Sequence, residues 1–313
     1  MTPEAFEDPV RPFRRELAAH CYRMLGSLQD AEDQLQETLL SAWRGIEGFE
    51  GRSSLRGWLY KIATHRCLDE IRRRPRQGLP SDHGAPWSDP SAPLVPPGEL
   101  LWVEPCPAGM WEGVASAEAS YSLRESVQLA FIVALQHLAA TQRAALILRD
   151  VLGWSAAEVA SLLDTTVAAV NSSLQRARAT VEQRRAAPTA PAVVDAIAQR
   201  YIAAWEAGDL DALVALLHQD VTITMPPLPS WYRGIADVRQ FFVSRLASSV
   251  TRRVIRIDAA DPLVFAFYRG AEWPLAGYGL HVLQISAGKI SEAHAFIDDT
   301  LLPRFGTPVL LPR

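Results

Sequence analysis

Apolar residues recur with helical spacing over the first 74 positions and again from about 118 to 186, and they change to strand-like alternation only in the last third. Residues 11–25 form one amphipathic run. A second starts at Ser27-Leu28-Gln29-Asp30 and reaches Arg44, with Ala31, Leu35, Leu39 and Ala42 along one side and Asp33 and Glu37, four apart, on the other. Gly45, Gly48 and Gly51 interrupt it. A third helix is predicted from about Ser54 to Arg74, where Pro75 ends it.

The segment 151–180 has the most telling pattern. Ser155 followed three residues later by Glu158 is a capping box, so a helix begins there. Its apolar residues Val159, Leu162 and Leu163 share a face. Asp164-Thr165-Thr166 breaks the run with turn and N-cap residues, and Asp tolerates the left-handed backbone a reversal needs. A second helix follows, with Val167, Val170, Leu174 and Ala177 expected inward and Asn171, Ser172, Gln175, Arg176 and Arg178 outward. The pair reads as a helix-turn-helix, although two short helices of this kind also make a plain core hairpin. Short polar side chains at the front of the second helix suit base edges, and arginines further back suit phosphates.

The last third opens with a helix over 193–207, then Gly208-Asp209 and a second helix to His218. Alternating, β-branched and aromatic stretches then predict strands at 221–225, 253–258, 263–268, 280–285 and 289–297, with Ala287-Gly288 as a tight hairpin between the last two. Helices followed by a curved antiparallel sheet make an α+β domain. Between the helical blocks, about 77–115, the chain carries eight prolines from Pro80 to Pro107 and shows no apolar period, so it is read as an extended or disordered connector. Trp87, Trp102 and Trp111 are unusual in an inert spacer, so parts of it are expected to dock. The expected division is 1–76, connector 77–117, 118–186, short linker 187–192, and 193–313.

The formal net charge of −4 hides a sharp asymmetry. Arg66, Arg72, Arg73, Arg74 and Arg76 crowd one short stretch, whereas 77–123 has no Lys or Arg but carries Asp82, Asp89, Glu99, Glu104, Glu112 and Glu118. Cys21, Cys67 and Cys106 form no C-x-x-C pair, so no metal site is expected and a reducing cytoplasm fits. No signal peptide or transmembrane run is visible, and no membrane association is expected.

Three stretches together resemble an extracytoplasmic-function sigma factor of bacterial RNA polymerase: DAEDQLQETLLSAW (30–43), FEGRSSLRGWLYKIATHRCLDEIRR (49–73) and the helix-turn-helix. The first two look like parts of sigma region 2 and the last like region 4, in the family's order. The last third is similar to a SnoaL-like domain of the NTF2-like superfamily through RYIAAWEAGDLDALVALLHQDVTITMPP and WYRG, so the whole looks like the sigma subfamilies that carry a fused SnoaL-like extension. The resemblance covers nearly all of 10–300. It implies two all-α sigma domains plus an α+β cone, and a protein that binds core RNA polymerase through the β′ and β subunits. It implies recognition of the −10 and −35 promoter elements, with no cofactor and no catalysis. Asp30, Glu32, Asp33, Gln36 and Glu37 supply an acidic, hydrogen-bonding face for core docking. Lys61, His65, Leu68 and Arg72 recur along the third helix as a partly basic face, with Trp58 and Tyr60 near its start, as single-stranded DNA requires. By family position His65 and Asp69 fall where a flipped −10 base lodges, and Arg73 extends the basic end. Asn171-Ser172-Ser173 stands where the family often has a basic residue, Ser and Arg, which leaves phosphate anchoring to Arg176 and Arg178 and base reading to Asn171, Ser172, Ser173 and Gln175. In the family the connector between regions 2 and 4 threads through polymerase, and a carboxylate-rich, arginine-free chain suits a basic channel.

Two alternatives compete. SnoaL-like folds include polyketide cyclases and resemble ketosteroid isomerase, and Asp220, Tyr232, His281, His294 and Asp298 are the pocket candidates for such chemistry or for ligand binding. A helix-turn-helix repressor with a ligand-sensing domain is the other, but it leaves 30–73 unexplained. The short linker before the last domain keeps that domain at high effective concentration beside region 4, so an intramolecular contact and regulation in cis are expected, with the tail 298–305 well placed to take part.

Overall fold

The computed structural model describes residues 3–51, 53–74, 77–87, 89, 102–107, 128–184, 189–246, 250–257 and 263–313. They form two compact units: Met1–Gln77 with Ala108–Arg185, and Gly78–Pro107 with Ala186–Arg313. Trp111 and three of the connector's carboxylates, Glu99, Glu112 and Glu118, lie outside the described residues.

The first unit is helical. A short α1 (Pro3–Val10) and a 3₁₀ turn (Arg11–Phe13) precede α2 (Arg14–Leu25), so the predicted first run is split at its start, where Pro12 sits. Helices α2, α3 (Leu28–Gly45) and α4 (Leu55–Arg73) pack on one another. Ser27 and Ser54 cap α3 and α4, each accepting from the backbone N–H three residues on, at 3.3 and 3.0 Å. Gly26 closes α2 in the left-handed region, with φ 78°. Leu17, Cys21, Tyr22, Met24, Leu59 and Tyr60 are fully buried in the core. Burial, followed by the neighbouring Cys21, pushes the Cys67 thiol up, so it is not a reactive thiolate. His20 lies among these residues, its Nε2 2.9 Å from Thr64 Oγ1, and burial followed by Arg23 lowers its pKa to about 3.

Helices α5 (Leu129–Gln136), α6 (Ala140–Leu146, running on as a π turn Ile147–Val151), α7 (Ala156–Leu162) and α8 (Val167–Glu182) complete the unit. Arg143 of α6 is buried. Its guanidinium donates to the Met24 carbonyl at the end of α2 and to Gln136 Oε1 of α5, satisfying an orphan helix-end carbonyl with a charged donor. This one side chain ties the N-terminal helices to the helix-turn-helix block.

The second unit is α+β. Pro191 opens α9 (Pro191–Ala207), Gly208 ends it with φ 67°, and Asp209 caps α10 (Leu210–Val214). The strands are β1 (Leu217–Thr224), β2 (Trp231–Arg233), β3 (Thr251–Ile257), β4 (Val264–Gly270), β5 (Leu275–Ser286), β6 (Lys289–Phe296) and β7 (Leu310–Leu311), with α11 (Ile235–Leu246) after β2 and α12 (Leu301–Arg304) after β6. Their order is β2-β1-β6-β5-β4-β3, and β7 pairs with β5. The sheet is mixed rather than all antiparallel, because β1 lies parallel to β6. The predicted second helix stops at Val214, and β1 begins earlier than expected, at Leu217. Ala287 and Gly288 make the predicted hairpin, both with positive φ (50° and 72°).

Part of the connector folds with this unit. The Trp87 N–H donates to the Trp231 carbonyl at 2.9 Å, and Trp231 Nε1 donates to the Gly84 carbonyl at 3.1 Å. Trp102 is buried and bridges Gly78. The docking expected of the tryptophans therefore holds for Trp87 and Trp102, and residues 78–87 and 102–107 are an arm of the C-terminal unit rather than a free spacer.

Candidate nucleic-acid interface

The helix-turn-helix forms as its capping signals predict. Glu158 N–H donates to Ser155 Oγ at 3.2 Å and Ser155 N–H to Glu158 Oε2 at 2.7 Å. These bonds stabilise the ionised carboxylate and lower the Glu158 pKa. Asp164 makes the reversal in the left-handed region, φ 51°, and Thr166 caps α8 by accepting from the Ala169 N–H. Val170, Leu174 and Ala177 are buried as expected, but Val167 is 43% exposed. As the first residue after the cap, it sits beyond the reach of the packed face.

Asn171, Ser172, Gln175, Arg176 and Arg178 all stand on the exposed side of α8, with Ser173 half-buried beside them. Arg176 is steadied by Ser172 Oγ at 2.7 Å. Arg178 is not a loose phosphate anchor: it makes a two-pronged ion pair with Asp150, at 2.6 and 2.8 Å, which raises its pKa. Sequence reasoning missed Asp150, which lies in the preceding turn and has no periodic signature.

On α3 four of the five residues expected to dock are accessible and one is not. Asp33, Gln36 and Glu37 are exposed and Glu32 is half-exposed. Asp30 is 8% exposed and pairs with the Arg74 guanidinium, while Gln77 Nε2 donates to its other oxygen at 2.8 Å. One turn into the helix, it faces inward and serves the fold, not a partner.

The α4 face is likewise sorted. Lys61 and His65 are half-buried, Asp69 and Arg72 are exposed and joined at 2.7 Å, and Arg73 is exposed. Leu68 and Tyr60 are buried, against expectation, because they fall on the side of α4 that packs against α2 and α3. Tyr60 stacks edge-on against His20 and Trp154. Trp58 is half-buried against Phe49, ring centroids 5.0 Å apart, so it packs at the helix start while keeping an exposed edge.

One relationship inside this unit changes the picture. Lys61 Nζ lies 2.8 Å from Asp164 Oδ1, and His65 Nε2 lies 3.0 Å from the Leu162 carbonyl. Hydrogen bonding to the Lys61 ammonium lowers the Asp164 pKa. The end of α7 and the reversing turn therefore sit on the two α4 side chains expected to meet unpaired DNA. Nearby, Arg56 is clamped by both oxygens of Glu16 and lies over the Tyr60 and Trp154 rings, at 5.0 and 5.9 Å.

Of the five pocket candidates in the C-terminal unit, only His281 lines its cavity. Tyr201 OH lies 2.8 Å from His281 Nδ1, and burial lowers the imidazole pKa to about 3 and raises that of Tyr201. His294 is one residue out of step: its neighbour Ala295 pairs with His281, so His294 faces the other side of the sheet, held by Thr224 Oγ1 at 2.9 Å and Glu292 at 3.1 Å. Tyr232 is buried against Phe241, Asp220 is exposed, and Asp298 binds Thr300. Among the described residues no Asp or Glu lines the cavity beside His281, and none of their His, Cys, Asp and Glu side chains cluster as metal ligands. No described helix is long and apolar enough to cross a membrane.

These features define a two-part helical DNA-reading protein with an appended NTF2-like domain. Residues 10–77 match Sigma-70 region 2, 128–181 match Sigma-70, region 4, and 198–293 match the SnoaL-like domain. The ECF RNA polymerase sigma factor SigG of Mycobacterium tuberculosis is 45% identical over 312 residues, covering 97% of this chain and 84% of that protein. The probable ECF sigma factor SigI of the same organism is 27% identical, covering 94% and 95%. The crystal structure of Mycobacterium tuberculosis SigJ aligns with a TM-score of 0.61 at 22% identity, over 96% of this chain and 99% of that one, which shows a shared fold. The chain belongs to the extracytoplasmic-function sigma factors of RNA polymerase, a family that recognises promoters and starts transcription.

Proposed function

We propose that the free chain holds its promoter-reading surfaces against each other and that core polymerase binding separates them. The observation that carries this is the contact of Lys61 and His65 with Asp164 and the Leu162 carbonyl, which covers the −10 face of α4 with the turn of the −35 reader. Asp33, Gln36 and Glu37, with Glu32 at the edge, are the exposed acidic face for the β′ subunit, and the β subunit takes the region 4 side. Trp58, Lys61, His65, Asp69, Arg72 and Arg73 then capture the unpaired −10 strand by basic and aromatic contact. Asn171, Ser172 and Gln175 read −35 base edges, and Arg176 anchors phosphate.

The SnoaL-like domain acts in cis as a regulator rather than as an enzyme in this reading, because among the described residues no carboxylate lines its cavity to pair with the neutral His281. The connector arm that leads from region 2 toward region 4 is held by that domain through Trp87 and Trp231, which gives it purchase on the linkage between the sigma regions. The site of action is the cytoplasm. The test is transcription from a cognate promoter with core enzyme, comparing the full chain, a chain ending at residue 187 and one lacking 298–313. Core-dependent initiation is expected from the full chain, with output altered in both truncations. Equal output from all three removes the regulatory role, and duplex binding without core favours a repressor.

A further inference from the structure

The C-terminal cavity has a chemical bias that regulation alone does not explain. Its walls are Tyr201 and Trp205 of α9, Phe241 and Phe242 of α11, Phe267 of β4 and His281 of β5, while the alanines Ala293 and Ala295 of β6 leave room at its floor. His281 is stacked on Phe267, centroids 3.6 Å apart, so the imidazole contributes a flat neutral surface. The cavity measures about 90 Å³, below the ~150 Å³ that takes a benzene in an engineered core, but with its open mouth the empty space reaches about 820 Å³. A chain end or the edge of a ring fits the interior, and the remainder of a ligand must lie in the mouth.

The rest of the lining is cationic. Arg245, Arg252 and Arg269 belong to it, and no Asp or Glu does among the described residues. Arg252 and Arg269 are directly opposite each other in the β3–β4 register, a like-charge cross-strand pair that costs stability unless an anion neutralises it. Arg252 is held by the carbonyls of Val250, Arg245 and Leu246, and Arg269 lies over the Tyr278 ring at 3.9 Å. Tyr278 reaches that position because a β-bulge makes it the extra residue of β5, between Gly277 and Gly279. Arg245 is the most telling. It sits over the Phe241 ring at 5.2 Å, yet its Nε and Nη2 are buried without an acceptor among the described residues. Buried guanidinium donors left unmatched are costly, and a carboxylate is the group whose geometry satisfies two of them at once.

We infer that this cavity binds a small apolar organic monoanion, its apolar end among Tyr201, Phe267 and His281 and its carboxylate on Arg245. A cation meets three arginines and no carboxylate there among the described residues, and a neutral ligand leaves Arg245 unmatched. The test is calorimetric titration of the full chain with 3-phenylpropionate, 3-phenylpropanol and 3-phenylpropylamine, three probes that share a body and differ in charge. The acid is expected to bind at least tenfold tighter than the alcohol, and the amine not at all. Arg245→Met should weaken the acid about tenfold and leave the alcohol unchanged, which also shows that the cavity is intact, and Arg245→Lys should restore part of the preference. Equal affinity for acid and alcohol, an acid affinity indifferent to Arg245→Met, or no saturable binding of the acid overturns the assignment.

Discussion

Lys61 and Asp164 are 103 positions apart in sequence, yet Lys61 Nζ lies 2.8 Å from the Asp164 carboxylate, so α4, proposed above to meet unpaired DNA, and the turn of the helix-turn-helix share an ion pair. Lys61 is half-buried and Asp164 exposed, and solvent-accessible pairs of this kind are worth only ~0.2–1 kcal/mol. That weakness suits a contact polymerase has to break. A contact of this size is a latch, not a lock.

Asp164→Ala should therefore leave thermal stability nearly unchanged and raise the affinity of the free protein for a single-stranded −10 oligonucleotide by up to about fivefold, the equivalent of ~1 kcal/mol. Fluorescence anisotropy with a labelled oligonucleotide measures it. Because the pair is exposed, the difference between variant and wild type should shrink as salt rises. An unchanged affinity at low salt means the contact does not compete with DNA.

The two acidic roles on α3 separate cleanly. Asp33→Lys with Glu37→Lys should abolish core binding and leave the melting curve alone, since both are exposed. Asp30→Ala should do the reverse: it breaks the buried bonds to Arg74 and Gln77 and costs about 2 kcal/mol of stability, with core affinity retained below the melting point. Calorimetry and a core-binding assay on the same samples decide it. Loss of core binding in Asp30→Ala at full stability moves the docking face.

Much of this was legible in the chain, for reasons that residues make plain. Ser155 with Glu158, Asp164, Ser54 and the Ala287-Gly288 pair are local signals, read by backbone groups within three or four residues, and each forms as expected. What failed depends on partners far along the chain. Asp30 looks like its neighbour Asp33 until Arg74 and Gln77 fold back on it, and Arg178 looks free until Asp150 meets it. The parallel pairing of β1 with β6 is equally invisible, because alternation names a strand but not its neighbour. Helix α11 was a missed local signal: Ile235, Val238, Phe241 and Phe242 have helical spacing. The side of the sheet that His281 and His294 take turns on a one-residue offset in register, which no composition records.

Reading and anchoring in region 4 should come apart. Asn171→Ala should cost ~1–3 kcal/mol at one base pair of the −35 element, whereas Arg176→Ala should weaken all promoters alike and lower the salt slope by about one. Arg178→Ala is expected to act differently from both, loosening the α8 packing through the lost Asp150 pair, with a smaller change in salt slope than Arg176→Ala. Promoter competition at several salt concentrations tests all three. Identical salt slopes for Arg176→Ala and Arg178→Ala make the Asp150 pair irrelevant to DNA binding.

Acid sensitivity follows from two buried imidazoles that the fold holds neutral, His20 in the first unit and His281 in the second. Burial lowers His20 and His281 to about 3, against an ordinary value of 6.5. Between those values the unfolded chain binds protons that the folded chain refuses, so stability rises with pH across the window and falls as pH drops from 6.5 toward 3. At pH 5 each histidine costs roughly 2 kcal/mol relative to neutral pH. His281→Phe should remove this contribution from the C-terminal unit: the variant starts less stable at pH 7, having lost the Tyr201 bond, but loses less on acidification. His20 lies in the other unit, so its share of the acid response should persist in the variant's first-unit transition. Unfolding followed by circular dichroism at pH 7, 6 and 5 gives the slopes. Parallel slopes for wild type and His281→Phe would mean that His281 is not held neutral by the fold.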